Sequence, residues 1–271
     1  FDNYRQYIKA SFKRGGINTL SWHMFNPIDL TSSWSTTPTV KQLVPGGKHH
    51  ARLIEFLDRF VAFNESLVMD SVNGDKTWIP ILFRPWHEHN GDWFWWGKPY
   101  CSKDEFISLW QFTVSYLRDE LGVHNFIYAF SPDNRFTTEE EFLERYPGDE
   151  WVDMVGMDNY ADLGRDRYDL ETAAKKLKIV SDYAKKKHKL AAFTETGLES
   201  IPNTTWWTDT LLKLLKTNDL ELSYVLVWRN DENSPTHYYA PFPGQVSEED
   251  FKAFYNDEFT LFENDLKKMY D

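Results

Sequence analysis

Short apolar runs alternate with longer stretches whose apolar residues recur three and four positions apart along the 271 residues. Six runs read as strands: Ile17–Trp22, Trp78–Phe83, Asn125–Phe130, Trp151–Met157, Leu190–Phe193 and Tyr224–Trp228. Amphipathic stretches over Ala51–Phe63, Lys103–Leu121, Leu170–His188 and Thr208–Lys216 read as helices between them. Phe1–Arg14 reads as one more, on Tyr4, Ile8 and Phe12. Strands alternating with helices predict an α/β fold with a parallel sheet, either doubly wound or closed into a (β/α)8 barrel. No low-complexity linker interrupts the alternation, so residues 1–271 are expected to form a single domain.

The strand ends separate the two topologies. Nearly every strand finishes on polar or aromatic residues: Ser21-Trp22-His23, Arg84-Pro85-Trp86-His87-Glu88, Ser131-Pro132-Asp133, Asp158-Asn159-Tyr160, Thr194-Glu195 and Trp228-Arg229-Asn230. Chemistry gathered at the carboxyl ends of many strands is the pattern of the (β/α)8 TIM barrel. No Gly-rich phosphate loop follows a strand, which leaves the dinucleotide fold without its signature. A barrel needs eight strands and six are legible, so the first two βα units are expected to be absent from the chain as given.

Composition narrows the partners. A net charge of −12 disfavours a nucleic-acid partner, because phosphate binding relies on clustered Lys and Arg. It disfavours an anionic membrane surface as well. No apolar run reaches the ~18 residues of a membrane span, and no signal peptide is legible. A neutral polymer fits. The single cysteine, Cys101, excludes an internal disulfide and reads as a small buried hydrophobe or a free surface thiol. Trp is abundant, at 12 residues, and Trp86, Trp93, Trp95 and Trp96 fall close together. Indole faces stack on sugar C–H faces, but the same cluster would equally fill a core.

Two segments carry candidate chemistry. In Arg84–Gly97, RPWHEHNGDWFWWG, Glu88 lies between two histidines at a strand end and precedes an Asn90-Gly91 turn. Aromatic neighbours desolvate a carboxyl group and raise its pKa, as a general acid near neutral pH requires. An ion pair with Arg84 is the structural alternative. HEHN lacks the second histidine of a zinc helix motif and no third ligand stands nearby, so no metal and no cofactor are expected. In Phe193–Gly197, FTETG, Glu195 ends an apolar strand, where a lone carboxylate is costly unless hydrogen-bonded or functional. Two strand-end glutamates among Trp and Tyr match the two-carboxylate arrangement of glycoside hydrolysis. His49-His50 and Lys185–Lys187 read as solvated surface, and Ser247 reads as the N-cap of a helix with Glu248–Asp250 in its first turn.

With Ser21-Trp22-His23, Asn26-Pro27, RPWHEHNGDWFWWG, Tyr146–Asp149 before Trp151–Asp153, Gly156–Tyr160, FTETG and Trp228–Asn230 in order, the chain resembles glycoside hydrolase family 26. The best-known members of that family are endo-β-1,4-mannanases on a (β/α)8 barrel. The resemblance implies Glu88 as acid/base at the end of the fourth barrel strand and Glu195 as nucleophile at the end of the seventh. It implies that His87 orients the catalytic groups, that Tyr160 hydrogen-bonds the nucleophile, and that Asp158 joins the same network. Trp93 and Trp228 resemble aromatic platforms, while Arg229 and His23 resemble sugar contacts. Trp86 departs from the smaller aliphatic residue expected there.

What the resemblance implies is retaining hydrolysis of internal β-1,4 linkages in a β-mannan, with carboxyl groups about 5–5.5 Å apart. Mixed-linkage β-glucan and β-1,3-xylan are the substrates of related members and stay open. So do a non-catalytic carbohydrate-binding barrel and a metal-dependent hydrolase built on His87 and His89. Degradation of a polymer implies an extracytoplasmic location.

Overall fold

The computed structural model describes residues 2–70, 76–216 and 219–266. Phe1, where the sequence reading begins its first helix, lies outside them. The chain forms two compact units, one holding the residues up to Phe130 with Leu143–Asp153, the other Ser131–Phe142 with Met154–Leu266.

In the first unit β1 (Asn18–Ser21), β4 (Ile81–Arg84) and β5 (Phe126–Phe130) pair in parallel, in the order β1-β4-β5. All four residues of β4 are buried, the mark of a parallel strand covered on both faces. A separate antiparallel pair joins β2 (Val68–Asp70) and β3 (Lys76–Trp78). The expected strand Trp78–Phe83 is therefore two strands, and Pro80 stands at the break. Proline has no N–H to give a ladder, so Trp78 ends one pairing and Ile81 opens the next. Helices α1 (Asp2–Arg14), α2 (Val40–Leu43), α3 (His50–Glu65) and α4 (Lys103–Ser115) complete the unit. Helix α3 buries Leu53, Leu57, Phe60 and Phe63, one stripe at helical spacing. The Lys103–Leu121 stretch changes hand-hold at Tyr116, where a π turn, Tyr116–Glu120, follows α4. Ser115 donates its hydroxyl to the Gln111 carbonyl at 2.8 Å, a side-chain competition that bends helices. His50 is half-buried instead of fully solvated. Its Nδ1 lies 2.6 Å from the Leu43 carbonyl and its ring stands edge-on to Phe112.

In the second unit β6 (Met154–Asp158), β7 (Leu190–Thr196) and β8 (Val225–Val227) pair in parallel, in the order β6-β7-β8. Six parallel strands are thus present among the described residues, as the sequence predicts. Helices α5 (Glu139–Phe142), α6 (Leu170–Lys187), α7 (Lys213–Lys216) and α8 (Glu248–Tyr255) accompany them. Asp169 caps α6 by accepting the Thr172 amide at 3.0 Å, and His188 ends it in a left-handed conformation. Thr208–Lys216 is half π turn, Trp206–Leu212, and half α-helix. Ser247 is the N-cap of α8 by position, but its side chain caps nothing. The hydroxyl donates to Gln245 Oε1 at 2.6 Å and accepts from Trp207 Nε1 at 3.2 Å.

The tryptophans divide between core and surface. Trp86, Trp95, Trp96 and Trp110 are fully buried in the first unit, Trp206 and Trp207 in the second. Each indole N–H has a partner; Trp86 donates to Thr113 Oγ1 at 3.1 Å and Trp96 to the His87 carbonyl at 2.8 Å. Core filling accounts for three of the four Trp residues around Glu88, and only Trp93 is half-exposed. Cys101 is buried, and burial pushes its thiol pKa up.

Candidate active site

Glu88 stands just beyond the end of β4, and the backbone there is bent to deliver it. Trp86 and Glu88 have φ of +50° and +51°, left-handed values that cost a non-glycine residue about 1–2 kcal/mol each. Such strain persists where packing over-determines it, and here the buried Trp86 ring anchors the turn. Glu88 is half-buried and accepts the Trp93 indole N–H at 2.7 Å through Oε2. Gly91 makes that bond possible: a Cβ on it would lie 2.5 Å from the Trp93 ring. Trp93 therefore folds back over a glycine to reach the carboxylate, a donor as well as an aromatic surface.

His87 is buried behind Glu88, with its ring edge-on to His23 at 4.6 Å and to Phe94 at 5.1 Å. Burial, then the charges of Arg84, His23 and His89, hold its pKa well below the usual imidazole range. A neutral His87 adds no positive charge beside Glu88. Arg84 is buried and donates to Ser21 Oγ from Nε at 3.1 Å and Nη2 at 2.9 Å. His89 points into apolar surroundings, between Phe106 at 4.4 Å and Phe130 at 4.7 Å. Neither of its ring nitrogens has a hydrogen-bond partner among the described residues. Burial, followed by Arg145 and Lys98, keeps it neutral too. His87 and His89 thus face different surroundings. Arg145, unassigned from the sequence, is the buried cation that gathers this loop. It donates to the carbonyls of His89, Cys101 and Ser102 and sits over the Phe106 ring at 4.4 Å.

In the second unit Glu195 lies within β7, 5% exposed, and its Oε2 accepts the Tyr160 hydroxyl at 2.9 Å. A hydrogen bond donated to a carboxylate favours its charged form. Gly197 follows with φ of +134°, and a Cβ there would lie 2.5 Å from the Tyr239 ring. Tyr239 in turn stands edge-on to Tyr160 at 5.8 Å. Asp158 is fully buried at the end of β6; it accepts the Thr194 hydroxyl at 2.6 Å, one residue before Glu195. The main chain of Asp133 forms a parallel β-bridge with that of Asp158, and Asp133 is buried as well. Burial pushes its carboxyl up to about 6, with the Asp158 charge adding to the rise and Arg135 opposing it. Trp228 is half-buried after β8, its amide on the Thr196 carbonyl at 3.0 Å. Arg229 is exposed and pairs with Asp231 at 3.1 Å.

The assigned residues accordingly fall into two groups: His23, His87, Glu88 and Trp93 in the first unit, Asp158, Tyr160, Glu195, Trp228 and Arg229 in the second. Sequence reasoning named Asp133 only as a strand end and missed Asp162 and Lys176, which form a buried ion pair at 2.9 Å. Their signal was present. Lys176 falls on the stripe of Ala173, Leu177 and Val180, where a helix buries apolar residues.

Comparison with known proteins agrees over the whole length. The family model described as Glycosyl hydrolase family 26 matches residues 2–265. A mannan endo-1,4-β-mannosidase of Bifidobacterium adolescentis is 35% identical over 264 residues, covering 92% of this chain and 26% of its own. One of Bacillus subtilis strain 168 is 28% identical over 273 residues, covering 96% and 65%. The chain thus spans about a quarter and just under two thirds of these two relatives. Among solved structures, a GH26 β-mannanase from Bacteroides ovatus superposes with a TM-score of 0.91 at 44% identity, over 100% of this chain and 76% of that one. A modular endo-β-1,4-mannanase from Cellulomonas fimi gives 0.88 at 36% identity, over 99% and 60%. Taken with two strand-end glutamates each fixed by an aromatic donor, these matches establish that the chain belongs to glycoside hydrolase family 26, with the α/β fold of that (β/α)8-barrel family.

Proposed function

We propose that the protein is a retaining endo-β-1,4-mannanase in which Glu88 is the acid/base and Glu195 the nucleophile. The observation that carries this reading is the Tyr160 hydroxyl on Glu195 Oε2 at 2.9 Å, at the end of a buried parallel strand. That bond keeps an attacking carboxylate ionised and aimed. Glu88 is half-buried beside a neutral histidine that adds no positive charge to oppose its proton, while the Trp93 N–H favours the carboxylate form that the second step needs.

In the first step Glu88 protonates the glycosidic oxygen while Glu195 attacks the anomeric carbon, and a covalent glycosyl-enzyme forms as the leaving sugar departs. In the second, Glu88 takes a proton from a water that attacks the same carbon, freeing Glu195 with net retention. His23, His87, Asp158, Trp228 and Arg229 are proposed sugar contacts or orienting groups. β-Mannan is favoured because the mannanases named above match over nearly the whole chain. A polymer does not cross a membrane, which argues for an extracytoplasmic enzyme; among the described residues no helix is long and apolar enough to span one.

Replacing Glu195 by Gln is expected to abolish hydrolysis of linear β-1,4-mannan while leaving oligosaccharide binding, measured by calorimetry. The Glu88→Gln variant is expected to form the glycosyl-enzyme only from substrates with activated aryl leaving groups, because only these depart without a proton. Normal turnover of mannan by the Glu195→Gln variant would reject the assignment.

A further inference from the structure

We infer that Lys176 is a positioning residue for the nucleophile: a buried ammonium on α6 that fixes the turn carrying Tyr160 and, through it, Glu195. The inference rests on the hydrolase reading above. Lys176 is 5% exposed, and its Nζ lies 2.9 Å from Asp162 Oδ2 and 3.2 Å from Asn134 Oδ1. Asp162 is fully buried. The same Oδ2 accepts from Asn159 Nδ2 at 2.9 Å, and the Asp162 amide donates to Asn159 Oδ1 at 3.1 Å. Arg167 pairs with the other carboxylate oxygen.

Asn159 is where the network reaches the strand of the nucleophile. Its amide donates to the Glu195 carbonyl at 2.9 Å, and its own carbonyl accepts the Thr196 hydroxyl at 2.8 Å. Tyr160 is the next residue. A second branch runs from Asn134 to Asp133 Oδ2 at 3.3 Å, crosses to Asp158 by a main-chain β-bridge, and reaches the Thr194 hydroxyl from the Asp158 carboxylate at 2.6 Å. Both branches that leave the ammonium end on residues flanking Glu195.

Burying an ammonium and a carboxylate carries a large desolvation cost, and an apolar pair of similar volume is often as stable or more so. Stability alone is thus a weak reason for a lysine on the apolar stripe of α6. Charge-assisted hydrogen bonds hold a tighter geometry than apolar packing, and misplacement of a reacting group by about 1 Å costs on the order of 10²-fold in rate. The Asn159–Asp162 turn has to keep Tyr160 on Glu195 within such a tolerance.

The test uses the full chain with Lys176→Met, Lys176→Arg and the double variant Lys176→Met/Asp162→Asn. Rates on a linear β-1,4-mannan oligosaccharide are measured beside melting temperatures and the hydrogen exchange of the Asn159 amide. Lys176→Met is expected to lose kcat by on the order of 10²-fold, with KM changed far less. Its Asn159 amide should exchange faster, and Lys176→Arg, which keeps the charge, should restore most of the rate. The double variant also removes the buried carboxylate charge that Lys176 partly balanced and should regain melting temperature but not kcat. Recovery of kcat together with melting temperature would reduce Lys176 to a structural role and overturn the inference. Should Lys176→Met fail to fold, the double variant carries the same decision. If the wild-type protein hydrolyses no mannan, the hydrolase reading falls, and unchanged Asn159 exchange in the folded variants would overturn the tether separately.

Discussion

At the scale of single residues, two histidines beside Glu88 are buried and kept neutral, and this couples stability to pH. The unfolded chain takes up a proton at each histidine as pH falls through about 6.5. The folded chain does not, so the full stability is present above that value and is lost below it, at about 1.4 kcal/mol per pH unit for each histidine. Asp133, pushed up to about 6, works in the opposite direction, but it is common to wild type and a histidine variant. Replacing His89 by Leu is expected to flatten unfolding free energy against pH by about 1.4 kcal/mol per unit below pH ~6. An unchanged slope in urea titrations would show that His89 takes a proton in the folded state. Tyr160→Phe removes a charge-assisted hydrogen bond of about 1.5–3 kcal/mol. It should lower kcat by roughly 10- to 100-fold and move the acidic limb of kcat/KM to higher pH, since Glu195 loses a donor that favours its ionised form. The two glutamates were legible because a carboxylate ending an apolar strand needs a reason to be there. Lys176 and Asp162 were not, because they lie 14 residues apart on a helix and a loop, and only the fold brings them together.

Among elements, α4 shows how local chemistry fixes a boundary. Ser102 accepts the Glu105 amide at 3.2 Å while Glu105 accepts the Ser102 amide at 2.9 Å, a reciprocal capping box. Ser102→Ala is expected to lower stability by about 1 kcal/mol and to leave kcat unchanged, which chemical denaturation and a rate assay would check together. Strands were read from the sequence more faithfully than their limits. Apolar runs over Asn125–Phe130 and Leu190–Phe193 hold parallel strands, whereas Pro80 divides Trp78–Phe83 between two pairings. Helix periodicity does not distinguish an α turn from a π turn, so the π segments at Tyr116–Glu120 and Trp206–Leu212 carried no readable mark. Nor did the sequence show that Ser247 would spend its hydroxyl on Gln245 and Trp207 instead of α8.

For the whole molecule, strand–helix alternation with polar strand ends led to the α/β class, and the ordered motifs led to family 26, which the match over residues 2–265 establishes. The aromatic content was the least decisive number. Tryptophan serves both a core and a sugar, and most of the cluster around Glu88 proved to be core. The central claim is retaining cleavage of β-1,4-mannan by Glu88 and Glu195, and stereochemistry tests it most directly. Proton NMR of the anomeric signals, followed from the first seconds after a linear β-1,4-mannan oligosaccharide is added, should show the β-anomer of the new reducing end before mutarotation. First appearance of the α-anomer would contradict double displacement, and absence of cleavage would contradict mannan as the substrate.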